Sequence, residues 1–241
     1  HFWAPDAYDG APISVAAYLS VITKVAAIFA FAQVLRDLPI DSSWPLVIAM
    51  IAAVTMTYGY LAAVVQTNMV RLIAYSSVAQ SGYFLLGIVA LGVSPLALPS
   101  LIVMGAAYVA MNLGAFGIVL LVGRHLDDFR GFGRQHPLAG VAMVVFLLSL
   151  AGIPPLFGFV GKVYLFGAAI EAGYLWLALI GIANSVLGLG VYLRIMVPMY
   201  QAAAAGDDGS IKAPSAALMA VIAVAAIVTL GMGLFAGYLP G

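Results

Sequence analysis

Residues 147–166 read Leu147-Leu148-Ser149-Leu150-Ala151-Gly152-Ile153-Pro154-Pro155-Leu156-Phe157-Gly158-Phe159-Val160-Gly161-Lys162-Val163-Tyr164-Leu165-Phe166. The stretch puts a lysine in hydrocarbon. The apolar run around it extends from Leu138 to Ile170, 33 residues, whereas about 20 helical residues already cross a bilayer core of roughly 30 Å. A single straight helix would overshoot. Pro154 and Pro155 remove two backbone donors and clash with the preceding turn, and Gly158 and Gly161 lower the cost of leaving helical geometry. A broken helix is therefore expected. Unwound backbone at membrane depth survives only where protein or a water-filled cavity satisfies its polar groups, which predicts a cavity facing Lys162.

Composition agrees with a chain that lives in a bilayer. It is 65% hydrophobic and 7% charged, with a mean hydropathy of +1.14, against roughly 25% charged residues in soluble proteins. Lys+Arg 9 balance Asp+Glu 9, so nothing points to nucleic acid or to a polybasic membrane surface. With Cys 0 the sequence has no means of forming disulfides, ligating iron–sulfur clusters or doing thiol chemistry. His1, His125 and His136 lie outside the apolar runs without metal-ligand spacing, so no metal site is expected. The first residue is His1, with no initiator methionine and no basic region before the first apolar run, and this reads as a fragment without a signal peptide.

Seven spans are predicted from the remaining runs. His1 to Pro12 reads as an interfacial loop with Trp3 and Tyr8 as aromatic anchors and Asp6 and Asp9 near a helix N-terminus. Helices then continue over about Ile13–Leu35, Trp44–Val65, Met69–Leu91, Leu96–Val122, the broken Leu138–Ile170, Tyr174–Tyr200 and Ser215–Tyr238. The whole is one all-α, polytopic transmembrane domain over 1–241, with a core of about 1–200 and a last helix at about 215–238. Arg71, Arg124, Arg130, Arg134 and Lys212 fall on one side and Arg36 on the other, so the positive-inside rule makes the first side cytoplasmic. That side would hold the Gly123–Pro137 loop, and Tyr238 would face the opposite one.

The chemistry points to Lys24 and Lys162. An ionisable residue at the centre of a span costs about 2.5 to 3.5 kcal/mol on insertion scales and usually marks a site or an ion path. The competing reading is a lysine packed against a carboxylate or a neighbouring subunit, but no Asp or Glu lies within the predicted spans. A desolvated amine can exist neutral as well as charged, so it can take up and release a proton. Neutral side chains could extend such a relay: Thr23, Ser77, Gln80, Ser81, Tyr108, Asn112, Ser149, Asn184 and Ser185. Helical spacing puts Ser77, Gln80 and Ser81 on one face, and Tyr108 and Asn112 on another. Ordinary interhelical hydrogen bonding explains each of these equally well. Arg71 and Arg194, near helix ends, are accounted for by snorkelling and topology, and no Gly-rich turn after a strand suggests a nucleotide site.

Several motifs together resemble a known family. They are His1-Phe2-Trp3-Ala4-Pro5-Asp6-Ala7-Tyr8-Asp9-Gly10-Ala11-Pro12 with Leu19 to Lys24, Gln66-Thr67-Asn68-Met69-Val70-Arg71 through Ser77, Asn112-Leu113-Gly114-Ala115-Phe116, Ser149 through Pro155 to Gly161-Lys162, and Tyr192-Leu193-Arg194. The sequence is similar to the antiporter-like membrane subunits of respiratory complex I, most closely the subunit N family of bacterial NADH:quinone oxidoreductases. The resemblance implies a fourteen-helix fold of two inverted repeats, each with a broken helix, of which these residues would form the last seven helices. Lys24 falls on the family's central-helix lysine and Lys162 on the lysine of its second broken helix, both proton carriers. The family's upstream lysine and glutamate would precede His1, and Val70 stands where many members carry lysine.

The resemblance also implies a function, that of a proton-translocating subunit of a quinone-reducing complex in the bacterial plasma (inner) membrane. NADH, flavin, iron–sulfur clusters and quinone would be held by other subunits and no cofactor by this chain. Its partners would be other membrane subunits, lipid, protons and water. Two alternatives remain open, a subunit of a sodium/proton antiporter or membrane-bound hydrogenase on the same fold, and a scaffold whose lysines only bind neighbours.

Overall fold

The computed structural model describes residues 3–36, 43–202 and 214–235. Asp37, Pro39 and Asp41 of the first connecting loop, Lys212, Tyr238 and His1 lie outside the described residues. Within them the secondary structure is helical: α1 (Ala4–Gly10), α2 (Ile13–Tyr18), α3 (Lys24–Leu35), α4 (Trp44–Val64), α5 (Met69–Val89), α6 (Ala97–Val122), α7 (Phe132–Gln135), α8 (Pro137–Ala151), α9 (Phe157–Glu171), α10 (Leu175–Met199) and α11 (Ala216–Phe235). Six of the resulting segments are long and apolar enough to cross a membrane, counting Ile13–Leu35 as one. The seventh is the pair α8 and α9, each too short to span alone.

The break falls where the prolines put it, and it starts slightly earlier. α8 ends at Gly152, whose φ of +88° and ψ of 46° form the left-handed cap that glycine adopts without penalty. Five residues, Gly152 to Leu156, separate the two helices, with Pro154–Pro155 joined by a cis peptide bond. α9 then leans its start against the end of α8: a Cβ at Gly158 would overlap the Ser149 backbone. Ser149 also closes the junction, its Oγ accepting from Gly158 N at 3.0 Å, which satisfies one of the orphan donors of a helix start.

The first segment is also irregular. Between α2 and α3 the chain makes a π-helical turn over Leu19–Thr23, immediately before Lys24. Wide turns of this kind are concentrated at functional positions in helices.

α5 is the centre of the bundle. Nearly all its side chains are buried, and α4, α6, α9, α10 and α1 surround it. Close approach to α4 is set by small residues, because a Cβ at Gly59 would meet the Ala79 backbone and one at Gly82 would meet Met56. α11 is peripheral, packed on α6, α9 and α8 with most of its surface outward. Large apolar side chains face outward on α4, α10 and α11, among them Val54, Leu179, Val186 and Ile227, as lipid contact requires.

The short first helix differs from the expected loop. Pro5 sits in its first turn, and Asp6 and Asp9 reach across to arginines on other elements. Arg71 Nη1 bonds Asp6 Oδ1 at 2.7 Å and lies 3.7 Å from Asp9 Oδ2. Arg124 Nη1 donates to Asp9 O at 2.7 Å and Nη2 to Ala11 O at 2.6 Å. Asn68 caps α5 through Oδ1, accepting from Val70 N at 2.9 Å, and donates to Asp9 Oδ1 at 2.8 Å. Arg194 donates to Val64 O and, at 3.2 Å, to Gln66 O, closing the C-terminus of α4. Arg130 bonds Ala202 O at 3.1 Å. One end of the bundle therefore gathers Arg71, Arg124, Arg130 and Arg194, the end the charge bias marks as cytoplasmic.

Candidate functional site

Lys162, in the second turn of α9, is 2% exposed. Its Nζ donates to Ala151 O at 2.8 Å and to Ser185 Oγ at 3.1 Å, and it lies over the Tyr83 ring, 4.2 Å from the centroid. The backbone acceptor exists because the helix stops. A carbonyl in the last turn of α8 has no amide four residues on to receive, and the negative end of the helix dipole suits a cation. Gly152 leaves room for the lysine stem, since a Cβ there would come within 2.7 Å of Lys162 Cδ. Tyr83 is held in turn, its hydroxyl donating to Gly181 O at 2.9 Å and lying 2.9 Å from Ser185 Oγ. The predicted cavity at Lys162 is replaced by protein: carbonyl, hydroxyl and aromatic face enclose the amine.

A cavity opens beside Lys24. It measures about 560 Å³ and lies between α3, α4 and α5, with Trp3, Ala4 and Tyr8 of the N-terminal region at one end and Thr23, Lys24 and Ser81 among its polar lining. Lys24 Nζ donates to Ser77 O and Ser77 Oγ. A hydroxyl network continues inward: Ser77 Oγ lies 2.6 Å from Tyr108 OH, which donates to Ser20 O at 3.2 Å, and Asn112 Nδ2 donates to Ser20 Oγ at 2.6 Å. The Lys24 amine is also 5.3 Å from the Tyr108 ring centroid. Tyr8 also lines this cavity; its burial pushes the hydroxyl up to about 12, opposed by its approach to the Ser77 side chain.

Between the amines stands Gln80, on α5 between Ser77 and Tyr83. Its Nε2 donates to Leu150 O at 2.9 Å, the carbonyl next to the one Lys162 uses, and to Tyr60 OH at 3.2 Å. Its Oε1 is buried without a protein partner, a position that suits a water molecule. Ser76 Oγ meets Tyr192 OH at 2.5 Å, and the rings of Tyr83 and Tyr192 pack edge-on against Tyr60. α5 thus carries groups that touch both lysine sites.

Of the residues singled out from sequence, Ser77, Tyr108 and Asn112 gather at Lys24, with Ser81 Oγ donating to Ser77 O at 3.1 Å. Ser185 and Gly161 accompany Lys162, where a Cβ at Gly161 would crowd Met104 of α6. Thr23 lines the Lys24 cavity, while its hydroxyl donates to Leu19 O of its own helix. Asn184 stands apart, tying α10 to α4 by donating to Thr57 Oγ1 at 3.1 Å. Tyr60 and Tyr83 had no sequence signal beyond ordinary packing, and Ser20, Tyr192 and Tyr8 stood within the motifs of the resemblance without a role of their own beyond Tyr8 as an interfacial anchor. Among the described residues neither lysine forms an ion pair, and no group of three His, Asp or Glu is placed to hold a metal ion.

Comparison with known proteins agrees with this architecture. Residues 1–188 match the family described as NADH:quinone oxidoreductase/Mrp antiporter, TM. The chain is 40% identical over 245 residues to NADH-quinone oxidoreductase subunit N 1 of Herpetosiphon aurantiacus, covering 96% of this chain and 49% of that protein. It superposes on a chain of respiratory complex I from Thermus thermophilus with bound aureothin at a TM-score of 0.86 and 30% identity, covering 98% of this chain and 53% of that one. On a chain of the Mrp complex from Dietzia sp. DQ12-45-1b the TM-score is 0.84 with 26% identity, covering 99% and 53%. The chain thus spans about half the length of the curated relatives it matches. With its broken helix, its two interior lysines and this match over most of its length, the chain is a multi-pass membrane member of the NADH:quinone oxidoreductase/Mrp antiporter transmembrane family.

Proposed function

We propose that the chain is part of a proton-translocating membrane subunit of an NADH:quinone oxidoreductase in the bacterial inner membrane, with Lys24 and Lys162 as proton carriers. The observation that carries the reading is the setting of the two amines. Lys162 is buried in the bundle and Lys24 half-buried at its cavity, and each is bonded by carbonyl and hydroxyl oxygens rather than a carboxylate. A fixed carboxylate would lock a lysine in its charged form, whereas neutral acceptors let it lose its proton at a lower cost. Ser77, Ser81, Tyr108 and Asn112 serve Lys24, and Ser149 holds the break that presents Ala151 O to Lys162. Gln80, whose free oxygen suits a water molecule, lies on α5 between the residues of the two sites and bonds the carbonyl next to the one Lys162 uses. NADH, flavin, iron–sulfur clusters and quinone belong to other subunits, and electron transfer there drives the proton steps here.

The test is made in the full-length subunit within the assembled complex, reconstituted in sealed vesicles. Lys24→Ala, Lys162→Ala and Lys162→Arg should each assemble and lose most of their proton pumping. Arginine is decisive, because it keeps the charge but does not release its proton under physiological conditions. Full pumping in Lys162→Arg would refute the carrier role, and loss of assembly in all three would favour a scaffold.

The similarity to the Mrp complex chain supports a second reading, a sodium/proton antiporter subunit on the same fold. Co-purification of flavin and iron–sulfur proteins with the full-length subunit favours the first reading, and sodium-dependent proton flux without them favours the second.

A further inference from the structure

We infer that Tyr8 is a positioning residue for Lys24, a tyrosine that the α1 ion-pair clamp seats against the Ser77 hydroxyl to which the Lys24 amine bonds. The inference rests on the carrier reading of Lys24.

Three observations meet at Tyr8. It belongs to α1, outside the spans, yet it is 1% exposed and reaches in to line the Lys24 cavity. Its hydroxyl interacts with the Ser77 side chain, and Ser77 accepts from Lys24 through both Oγ and its backbone oxygen. Its ring is wedged edge-on between Trp3, at 6.3 Å between centroids, and Phe116, at 6.4 Å. A hydroxyl so placed limits the rotation of the Ser77 side chain, which Tyr108 holds from the other side at 2.6 Å. With both tyrosines in place, Ser77 Oγ is aimed at the amine.

The clamp explains why so short a helix can hold this position. Seven residues do not form a stable helix alone. Asp6 and Asp9 anchor it to Arg71 and Arg124, Arg124 also holds Asp9 O and Ala11 O, and Asn68 binds Asp9 while capping α5. Because Arg71 and Ser77 lie on the same rigid helix, the clamp fixes α1 in the frame of Ser77 itself.

The experiment uses the full-length subunit in its assembled complex in sealed vesicles, with proton flux, electron transfer and the amount of assembled complex measured together for Tyr8→Phe, Tyr8→His and Lys24→Ala. Tyr8→Phe keeps the ring and removes the polar contact with Ser77, so flux should fall about three- to tenfold, up to the rate equivalent of a neutral hydrogen bond, with assembly unchanged. Tyr8→His should retain more flux than Tyr8→Phe, since the imidazole restores a polar partner for Ser77. A merely structural role predicts the reverse order, because phenylalanine matches the shape better. Wild-type flux in Tyr8→Phe, a histidine variant no better than phenylalanine, or failure of Tyr8→Phe to assemble would each overturn the inference. If Lys24→Ala loses flux while Tyr8→Phe does not, only the role of Tyr8 falls. Normal flux in Lys24→Ala overturns the carrier reading and this inference together.

Discussion

Replacing Gly152 by alanine isolates what the break does for Lys162. Two separate costs arise at this position. The φ of +88° is a left-handed conformation, which costs an L-residue roughly 1–2 kcal/mol. The added Cβ would also stand 2.7 Å from Lys162 Cδ and 3.3 Å from Nζ, so the lysine stem must shift and the amine must leave Ala151 O. A hydrogen bond from a charged group is worth about 1.5–3 kcal/mol, which would deplete the population with Lys162 in place by roughly ten- to a hundredfold. Gly173 is the control. Its φ of +86° carries the same backbone cost, but nothing lies within 4 Å of a Cβ built there. Both variants should therefore show a similar small loss of thermal stability from the backbone, with a further loss in Gly152→Ala alone. Proton flux in vesicles should fall at least about tenfold in Gly152→Ala and stay near wild type in Gly173→Ala. Equal flux in the two variants would refute the idea that Gly152 makes room for a Lys162 amine on which flux depends.

Two further outcomes are expected. The sequence has no cysteine, so single cysteines at Asp127, between α6 and α7, and at Val93, between α5 and α6, should be labelled by an impermeant thiol reagent from opposite faces of the membrane; labelling from one face would refute the charge-bias topology. Gly158→Ala puts a methyl group into the Ser149 backbone, where close-packed backbone cannot yield cheaply, so assembled complex should drop sharply, and a normal yield would show that the α8–α9 junction can slide.

Hydropathy alone locates the described ends of the first six spans to within two residues, because a bilayer punishes polar groups and the run lengths are long. The broken helix was legible for the same reason, as a 33-residue run with two central prolines has no unbroken solution. α1 was not, since a seven-residue helix stabilised by ion pairs to Arg71 and Arg124 has no periodicity of its own. The π turn before Lys24 left no mark either, for Leu19 to Thr23 is ordinary helix-compatible sequence. At the site, the lysines declared themselves by cost. The tyrosines did not: Tyr60, Tyr83 and Tyr192 look like packing until the fold shows their hydroxyls turned on Gln80, Ser185 and Ser76.

The end of α8 has a consequence for how this site can be explored. Lys162 and Gln80 bond to Ala151 O and Leu150 O, atoms that every residue type carries. No exchange of side chain at positions 150 or 151 deletes these oxygens, so alanine scanning is blind to half of what surrounds the amine. An ester in place of the peptide bond that comes after Ala151 changes no side chain, weakens that carbonyl as an acceptor and removes the Gly152 N–H that bonds Leu148 O and Ser149 O, so it exposes the share of the carbonyl and the helix cap together. Leu150 and Ala151 are themselves buried, so their side chains answer to packing while their carbonyls answer to the site.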